Sequence, residues 1–149
     1  MQTGTQVKTQ LAAGADLADR DPSEIEVTSL LPVAVAETRA EALNAMRPGL
    51  MFYIGFFPRY RQMIAEYGFQ EETSAVADAF ALGDHERAMR NVTDAMIDAS
   101  SIVGTPAQCR EQINAYRASG IDLPIISPFA RGPGSQETFK AAILACAPN

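Results

Sequence analysis

Alternating apolar positions predict a strand near the start of the chain. From Ile25 to Val35 the odd-numbered residues form one face with a period of two, interrupted only by a serine. The opposite face also carries Leu30 and Ala34, which is typical of a strand that is buried on both sides near its end. Pro32 predicts a bulge or a strand end nearby, because proline cannot donate a hydrogen bond to a sheet. We therefore expect a strand at 25–35.

The segment from Gly104 to Pro128 predicts a helix followed by a second strand. Thr105 and Gln108 have the spacing of a capping box around Pro106 at the first helical position. Gly120 has the place of a helix stop, so the helix is expected at 106–119. The short apolar run at 123–127 shows no alternation, which favours a fully buried parallel strand.

Helical spacing dominates the rest of the chain. A capping box of Thr38 and Glu41 starts a helix at Arg39, and Pro48 is expected to kink or end it. Helices continue to about residue 100, so a helical segment, 39–100, lies between the two strands. A last helix is expected at 136–146, with an inward stripe of Phe139, Ala142, Ile143 and Cys146. The polar residues 1–10 predict a flexible N-terminus.

Two parallel strands separated by helices are a fragment of an α/β sheet, because two strands cannot cover their own faces and edges. The open flanks predict self-association into a homo-oligomer, or pairing with a complementary fragment of the same architecture.

Composition excludes several classes of function. With 149 residues, 47% of them hydrophobic and 20% charged, the chain is expected to be globular. A net charge of −6 with scattered basic residues argues against nucleic acid and against an anionic membrane surface. No apolar run reaches the roughly 18–20 residues of a membrane span, and the first ten residues lack the pattern of a signal peptide. The two cysteines, Cys109 and Cys146, fit a reducing cytoplasm as two small buried side chains.

Several linked motifs resemble the luciferase-like flavin- and F420-dependent oxidoreductases. Val103-Gly104-Thr105-Pro106 and the stretch Ala115–Asp122 are similar to the last helix and strand of that family's barrel. The stretch Ala18–Leu43 is similar to the seventh strand and the helix after it. Arg47-Pro48-Gly49-Leu50 and Tyr67-Gly68-Phe69 resemble the helical insertion before the final strand. The resemblance covers about residues 11–147 and is strongest for the methylenetetrahydromethanopterin reductase-like subgroup.

The resemblance implies that residues 11–149 are the C-terminal part of a (β/α)₈ TIM barrel with a helical insertion between its two strands. A complete barrel needs at least about 200–250 residues, so strands one to six would lie outside this sequence. In the family, reduced FMN with oxygen or coenzyme F420 acts on a small organic substrate as a monooxygenase or reductase. Most residues that hold the cofactor precede this segment. The alternative is a non-catalytic truncated or split-gene product that self-associates or complements the N-terminal half of a barrel.

Barrel enzymes place their functional side chains after the carboxyl ends of the strands. By that rule the cofactor- or substrate-binding candidates are Ser127 and Arg131 after the second strand, with Phe52, Tyr53 and Arg59 from the helical segment. Each candidate also has an explanation without a functional role. Ser127 can hydrogen-bond to its own backbone, Arg131 can be a solvated loop residue, and the aromatic rings can be core. The sequence singles out no catalytic residue.

His85, the single histidine, is expected at the exposed start of a helix. With one histidine, two distant cysteines and no clustered carboxylates, the sequence predicts no metal site.

Overall fold

The computed structural model describes residues 4–129 and 135–147. Three parallel strands lie in the order β2-β1-β3, with helices on both sides. The strands are β1 (Thr28–Val35), β2 (Ile102–Gly104) and β3 (Leu123–Pro128). The helices are α1 (Gly4–Leu17), α2 (Arg39–Phe56), α3 (Pro58–Glu66), α4 (Gln70–Ala81), α5 (His85–Asn91), α6 (Asp94–Ser100), α7 (Pro106–Ala118) and α8 (Ser135–Cys146).

The two expected strands lie side by side and are parallel, as the sequence predicts, but β1 begins at Thr28, three residues after the predicted start at Ile25. Their register runs from Thr28 opposite Leu123 to Val33 opposite Pro128. The sequence gives no sign of β2, which pairs with the last three residues of β1. Three residues are too few for a hydrophobic period to be recognised.

Pro32 lies inside β1 without ending it, so the expected bulge or strand end is wrong. Alternate residues of a strand direct their backbone groups to opposite edges. The carbonyl oxygen of Val33 accepts from Phe129 of β3, so the nitrogen of Pro32 faces the other edge. β2 pairs there only from Val33 onward, and proline therefore removes no bond from the sheet.

Helices α7 and α8 cover one face of the sheet. The hydrophobic core on this face joins Leu31 and Val33 of β1 to Cys109 and Ile113 of α7, as the inward stripe of α7 predicts. The boundaries of α7 also agree with the sequence, since Thr105 and Gln108 form the capping box and Gly120 has a φ of 102°.

The expected inward stripe of α8 is only partly correct. Phe139 and Ile143 are exposed, whereas Ala142, Ala145 and Cys146 are buried. Small side chains let α8 pack closely, so the larger apolar residues point outward.

The five helices from α2 to α6 form the second layer, against the opposite face of the sheet. Their core joins Met46 and Ile54 of α2 to Val76 and Met96, and it includes Ala34 of β1. The capping box of Thr38 and Glu41 is present, as expected.

Pro48 neither ends α2 nor separates it from the apolar run that follows, which corrects the sequence prediction. Pro48 and Asn44, whose carbonyl loses its helical donor, are both exposed. Water can therefore replace the missing hydrogen bond. The helix instead ends before Pro58, which is the first residue of α3.

The second layer covers only the carboxyl-terminal half of the sheet. Nearer the amino ends of the strands Leu30, Leu123 and Ile125 are 66%, 45% and 42% exposed. The expectation of a fully buried β3 is therefore wrong for this chain. We call these three side chains the open inner face.

At the amino-terminal end of the strands, α1 begins at Gly4, earlier than the flexible residues 1–10 suggest. Lys8 and Asp122 form an ion pair at 2.6 Å, and the hydroxyl of Thr5 donates to the carbonyl of Ser119 at 3.2 Å. Among the residues described, no helix combines the length and the hydropathy needed to cross a bilayer.

Candidate functional site

A cavity of about 300 Å³ lies between the sheet and helices α2 and α3. Pro32 of β1, and Ser127 and Phe129 at the carboxyl end of β3, form its sheet side. α2 contributes Met46, Gly49, Leu50 and Tyr53. α3 contributes Tyr60, Met63 and Ile64, and Tyr67 directly follows α3. The cavity continues along the edge of β1 that β2 leaves unpaired, where Leu30, Leu31, Ser101 and Tyr116 line it. This position near the strand ends is where barrel enzymes carry their sites.

Gly49 allows α2 to pack directly on the end of β3. A Cβ atom at this position would lie 2.1 Å from Cζ of Phe129, far inside van der Waals contact. Phe129 also lines the cavity, so the absence of a side chain at Gly49 sets the position of one wall.

Four tyrosines give the cavity aromatic faces and hydroxyl groups. The rings of Tyr53 and Tyr60 lie 4.8 Å apart, and those of Tyr53 and Phe57 lie 5.5 Å apart. Burial raises the pKa of Tyr116, and the nearby Tyr67 raises it further. Tyr116 is therefore neutral at physiological pH and keeps its hydroxyl proton.

Among the residues the structure describes, those that line the cavity carry no aspartate, glutamate, lysine, arginine or histidine. Charged groups nearby are paired outside it. Arg39 bonds Asp98 at 2.5 Å and the carbonyl of Val103 at 3.1 Å, and Arg47 bonds Asp94 at 2.5 Å. The described lining residues offer ring contacts and neutral hydrogen bonds, and among them there is no acid–base pair and no cation.

The structure brings two of the five sequence candidates together, because Ser127 and Tyr53 both line the cavity. Phe52 lies in a neighbouring aromatic cluster, stacked on Phe56 with ring centroids 5.4 Å apart. Arg59 is exposed on α3 and is not part of the lining. Arg131 lies outside the described residues.

Sequence reasoning missed Tyr67, Tyr116 and Phe129 as cavity residues. The signal for Tyr67 is the stripe of Tyr60, Ile64 and Tyr67 along one side of α3, since all three line the cavity. Tyr116 belongs to the inward stripe of α7, which sequence alone cannot distinguish from ordinary core.

A wider concavity of about 580 Å³ lies between α1 and the turn that precedes β1. Lys8, Glu24 and Asp122 are among its largely exposed lining residues, and it opens at the amino ends of the strands. We favour the smaller cavity because barrel sites lie at the opposite end.

Within residues 4–129 and 135–147 no three side chains of His, Cys, Asp or Glu converge on a metal position. His85 is exposed, with its ring 5.1 Å from that of Phe80.

Comparison with known proteins identifies the family. Residues 5–123 match the sequence model of the family described as luciferase-like monooxygenase. The chain belongs to this family. It is also similar to 5,10-methylenetetrahydromethanopterin reductase from Methanolobus tindarius, with 32% identity over 133 residues that make up 88% of this chain and 40% of the relative. The enzyme of the same name from Archaeoglobus fulgidus is 26% identical over 138 residues, which are 89% of this chain and 41% of the relative.

A solved structure has the same fold. The coenzyme F420-dependent tetrahydromethanopterin reductase from Methanopyrus kandleri superimposes with a TM-score of 0.73 and 20% sequence identity. The match covers 95% of this chain and 41% of that one. The chain thus spans about two fifths of the length of these relatives, and it has the α/β fold of that part of the reductase.

Proposed function

We propose that this chain forms the C-terminal, substrate-side part of an F420-dependent oxidoreductase that acts on a small organic molecule. The observation that carries the proposal is the tyrosine-lined cavity at the carboxyl end of β3. Membership of the luciferase-like family supports the oxidoreductase class. The reductase names of the relatives favour F420 over FMN and a reductase over a monooxygenase.

The cavity residues fit the ring of a deazaflavin cofactor or of a substrate beside it. Aromatic faces, methionines and neutral hydroxyls are suitable surroundings for a planar ring system. When bound, coenzyme F420 supplies a hydride donor or acceptor, and the protein supplies shape and orientation.

The residues of this chain then have positioning roles. Tyr53 and Tyr60 present ring faces to a bound planar group, and Phe129 forms the wall where the end of β3 meets α2. The hydroxyls of Ser127 and the neutral Tyr116 donate or accept hydrogen bonds. A catalytic proton donor within the described residues is not part of the proposal, because no described residue of the lining is an aspartate, glutamate, lysine, arginine or histidine.

A titration tests the proposed site. Purified chain is added to coenzyme F420 and, separately, to FMN, and cofactor fluorescence is followed. We expect quenching by F420 at high micromolar chain concentrations, because the chain holds only part of a barrel. Ser127→Phe fills the cavity and should weaken binding roughly tenfold or more, a loss of about 1.4 kcal/mol. Ser74→Phe, the same change at an exposed position of α4, should bind as wild type. An unchanged signal for every chain and both cofactors contradicts the proposal.

The open inner face supports a second candidate, a non-catalytic chain that self-associates or complements another barrel fragment. Leu30, Leu123 and Ile125 form an exposed apolar group that a partner would cover. The edges of the sheet offer fewer free backbone groups to a partner than the face offers exposed apolar side chains. Val103, on the outer edge of β2, already bonds the side-chain amide of Gln112 through both its N–H and its carbonyl.

A further inference from the structure

We propose that Cys109 and Cys146 are a thiol pair that a low-molecular-weight disulfide oxidises to a disulfide bridge between α7 and α8. Both cysteines are reduced and buried in the structure. Neither lines the cavity, so the pair is a modification site that is independent of the proposed function. The proposal depends on where the fold places the two thiols and on how α8 packs.

The fold brings two cysteines that are distant in sequence into one hydrophobic core. Cys109 lies near the start of α7, and Cys146 is the last residue of α8. Both belong to the core that these helices form on Leu31 and Val33 of β1. Burial raises the pKa of Cys109, and the nearby Cys146 raises it further. The two thiols are therefore close enough for a charge on Cys146 to act on Cys109.

Arg110, the residue after Cys109, ties α8 to α7 at the same place. Its guanidinium donates to the carbonyl oxygen of Ala145 at 3.0 Å, and Ala145 directly precedes Cys146. Burial raises the pKa of both thiols, and the positive charge of Arg110 opposes that rise. Arg110 thus holds the end of α8 beside α7 and favours the reactive thiolate once a thiol is exposed to solvent.

The packing of α8 gives an oxidant access to Cys146 first. The buried side chains of α8 are all small, namely Ala142, Ala145 and Cys146. They bury little apolar area, so we expect the last turn of α8 to open locally at a low cost. Cys146 is 7% exposed at the end of this helix, whereas Cys109 is fully buried on α7. Opening of that turn therefore exposes Cys146 before Cys109.

Oxidation proceeds by two successive thiol–disulfide exchanges. The Cys146 thiolate attacks one sulfur of oxidised glutathione, forms a mixed disulfide and releases a glutathione thiolate, which takes up a proton. The Cys109 thiol then loses its proton, and its sulfur attacks the Cys146 sulfur and displaces the second glutathione. Two protein thiols are oxidised to one disulfide, and one oxidised glutathione is reduced to two thiols.

Mass spectrometry tests the assignment of the pair. The full chain is incubated with oxidised glutathione in native buffer, and samples are quenched with an alkylating reagent. We expect a product that has lost two hydrogen atoms and a cross-linked peptide pair that contains Cys109 and Cys146. Cys109→Ala should stop at one glutathione on Cys146. Cys146→Ala should react at least about tenfold more slowly, because its remaining thiol is fully buried.

A relocated thiol is the matched control. The double variant Ala142→Cys/Cys146→Ala moves the cysteine one turn back along α8, to a buried position that is not a member of the shared core. One turn of helix is about 5.4 Å, which is more than the geometry of a disulfide tolerates. The relocated pair should form a bridge at least about tenfold more slowly than wild type.

The coupling between the bridge and folding gives a readout that does not depend on reaction rate. A bridge that fits the fold is stabilised by folding as much as it stabilises the fold. In glutathione redox buffers, the folded chain should therefore keep its bridge under at least about tenfold more reducing conditions than the urea-unfolded chain. The oxidised chain should also melt roughly 5–10 °C above the reduced chain.

Four results would overturn the proposal. The first is glutathione adducts without a bridge, and the second is a wild-type chain whose thiols both stay reduced. The third is a relocated pair that forms a bridge as fast as the native pair. The fourth is a bridge that the urea-unfolded chain keeps as well as the folded chain, because the fold would then contribute nothing to it.

Discussion

Gly49 determines how closely α2 approaches the carboxyl end of β3. Its contact with the ring of Phe129 fixes a wall of the cavity, and its neighbours on α2 line the same space. The sequence shows only a glycine after a proline, which is the pattern of a helix end. The close approach that requires this glycine exists only in the folded molecule.

Gly49→Ala should lower both stability and ligand binding. The added methyl overlaps the ring of Phe129, and overpacking of this kind costs about 1–3 kcal/mol. Urea unfolding measures the change. Gly14→Ala is the matched control, because nothing lies within 4 Å of a Cβ there, and it should stabilise α1 by roughly 0.5–1 kcal/mol. Equal stabilisation by both substitutions would show that Phe129 moves aside at no cost.

The buried thiol of Cys109 makes stability depend on pH in the alkaline range. Burial, reinforced by the neighbouring Cys146, raises its pKa from 9.0 to about 11. Because the pKa is higher in the folded state, the thiol's contribution to the free energy of unfolding is complete below pH 9. That contribution is lost as pH rises through 11.

Cys109→Ala should therefore flatten the fall in the free energy of unfolding between pH 9 and pH 11. Wild type and variant share every other titrating group, so the difference in slope isolates the thiol. Urea unfolding at half-unit steps of pH measures it. Parallel curves for the two proteins would contradict a raised pKa.

At the scale of elements, β2 is stabilised by a side chain instead of a fourth strand. The amide of Gln112 accepts from the N–H of Val103 at 3.3 Å and donates to its carbonyl at 2.9 Å, as a neighbouring strand would. The guanidinium of Arg39 donates to the same carbonyl at 3.1 Å. This edge is closed against strand addition.

Gln112→Ala should open that edge. Val103 would lose the partner of its backbone N–H, and the free energy of unfolding should fall by about 1–2 kcal/mol. Gln62→Ala removes an exposed glutamine whose side-chain bond is to Glu66, and it should change stability by less than about 0.5 kcal/mol. Chemical denaturation compares the two variants. Equal effects would mean that the bonds to Val103 contribute nothing beyond an ordinary surface contact.

The outer edge of β3 has its own protection. Leu123 and Phe129 donate to β1, so the alternate residues Pro124, Ile126 and Pro128 face outward. Two of these three residues are prolines and have no N–H to donate to an added strand. Natural sheets commonly protect their edges with proline in this way. Apolar side chains, more than free backbone groups, are thus the exposed feature of this sheet.

At the scale of the whole molecule, α7 and α8 cover one face of the sheet, whereas the second layer covers the carboxyl-terminal half of the other. If the open inner face drives association, the mass measured by light scattering after size exclusion should rise with concentration. Leu30→Lys places a charge in the centre of that face and should return the chain to monomer. Leu82→Lys, at an even more exposed position at the end of α4, should not. A monomeric wild type at all concentrations would remove the support for the second candidate function.

The sequence by itself determined the local structure and the family. Capping boxes at Thr38 and Thr105 and the stop at Gly120 depend on neighbouring residues only, so the pattern predicts where α2 and α7 begin and where α7 ends. The linked motifs around Gly104 likewise indicated the luciferase-like family, which the family match confirms.

Only the tertiary structure decided which predicted apolar positions are covered and which residues form the cavity. Pro48 continues a helix because its side is exposed to water, and Leu123 and Ile125 are exposed because the second layer stops short of them. The cavity joins residues from α2, α3, β1, β3 and α7 that lie up to about a hundred positions apart. Burial depends on which elements meet in space, and a hydrophobic period along the chain carries no information about that.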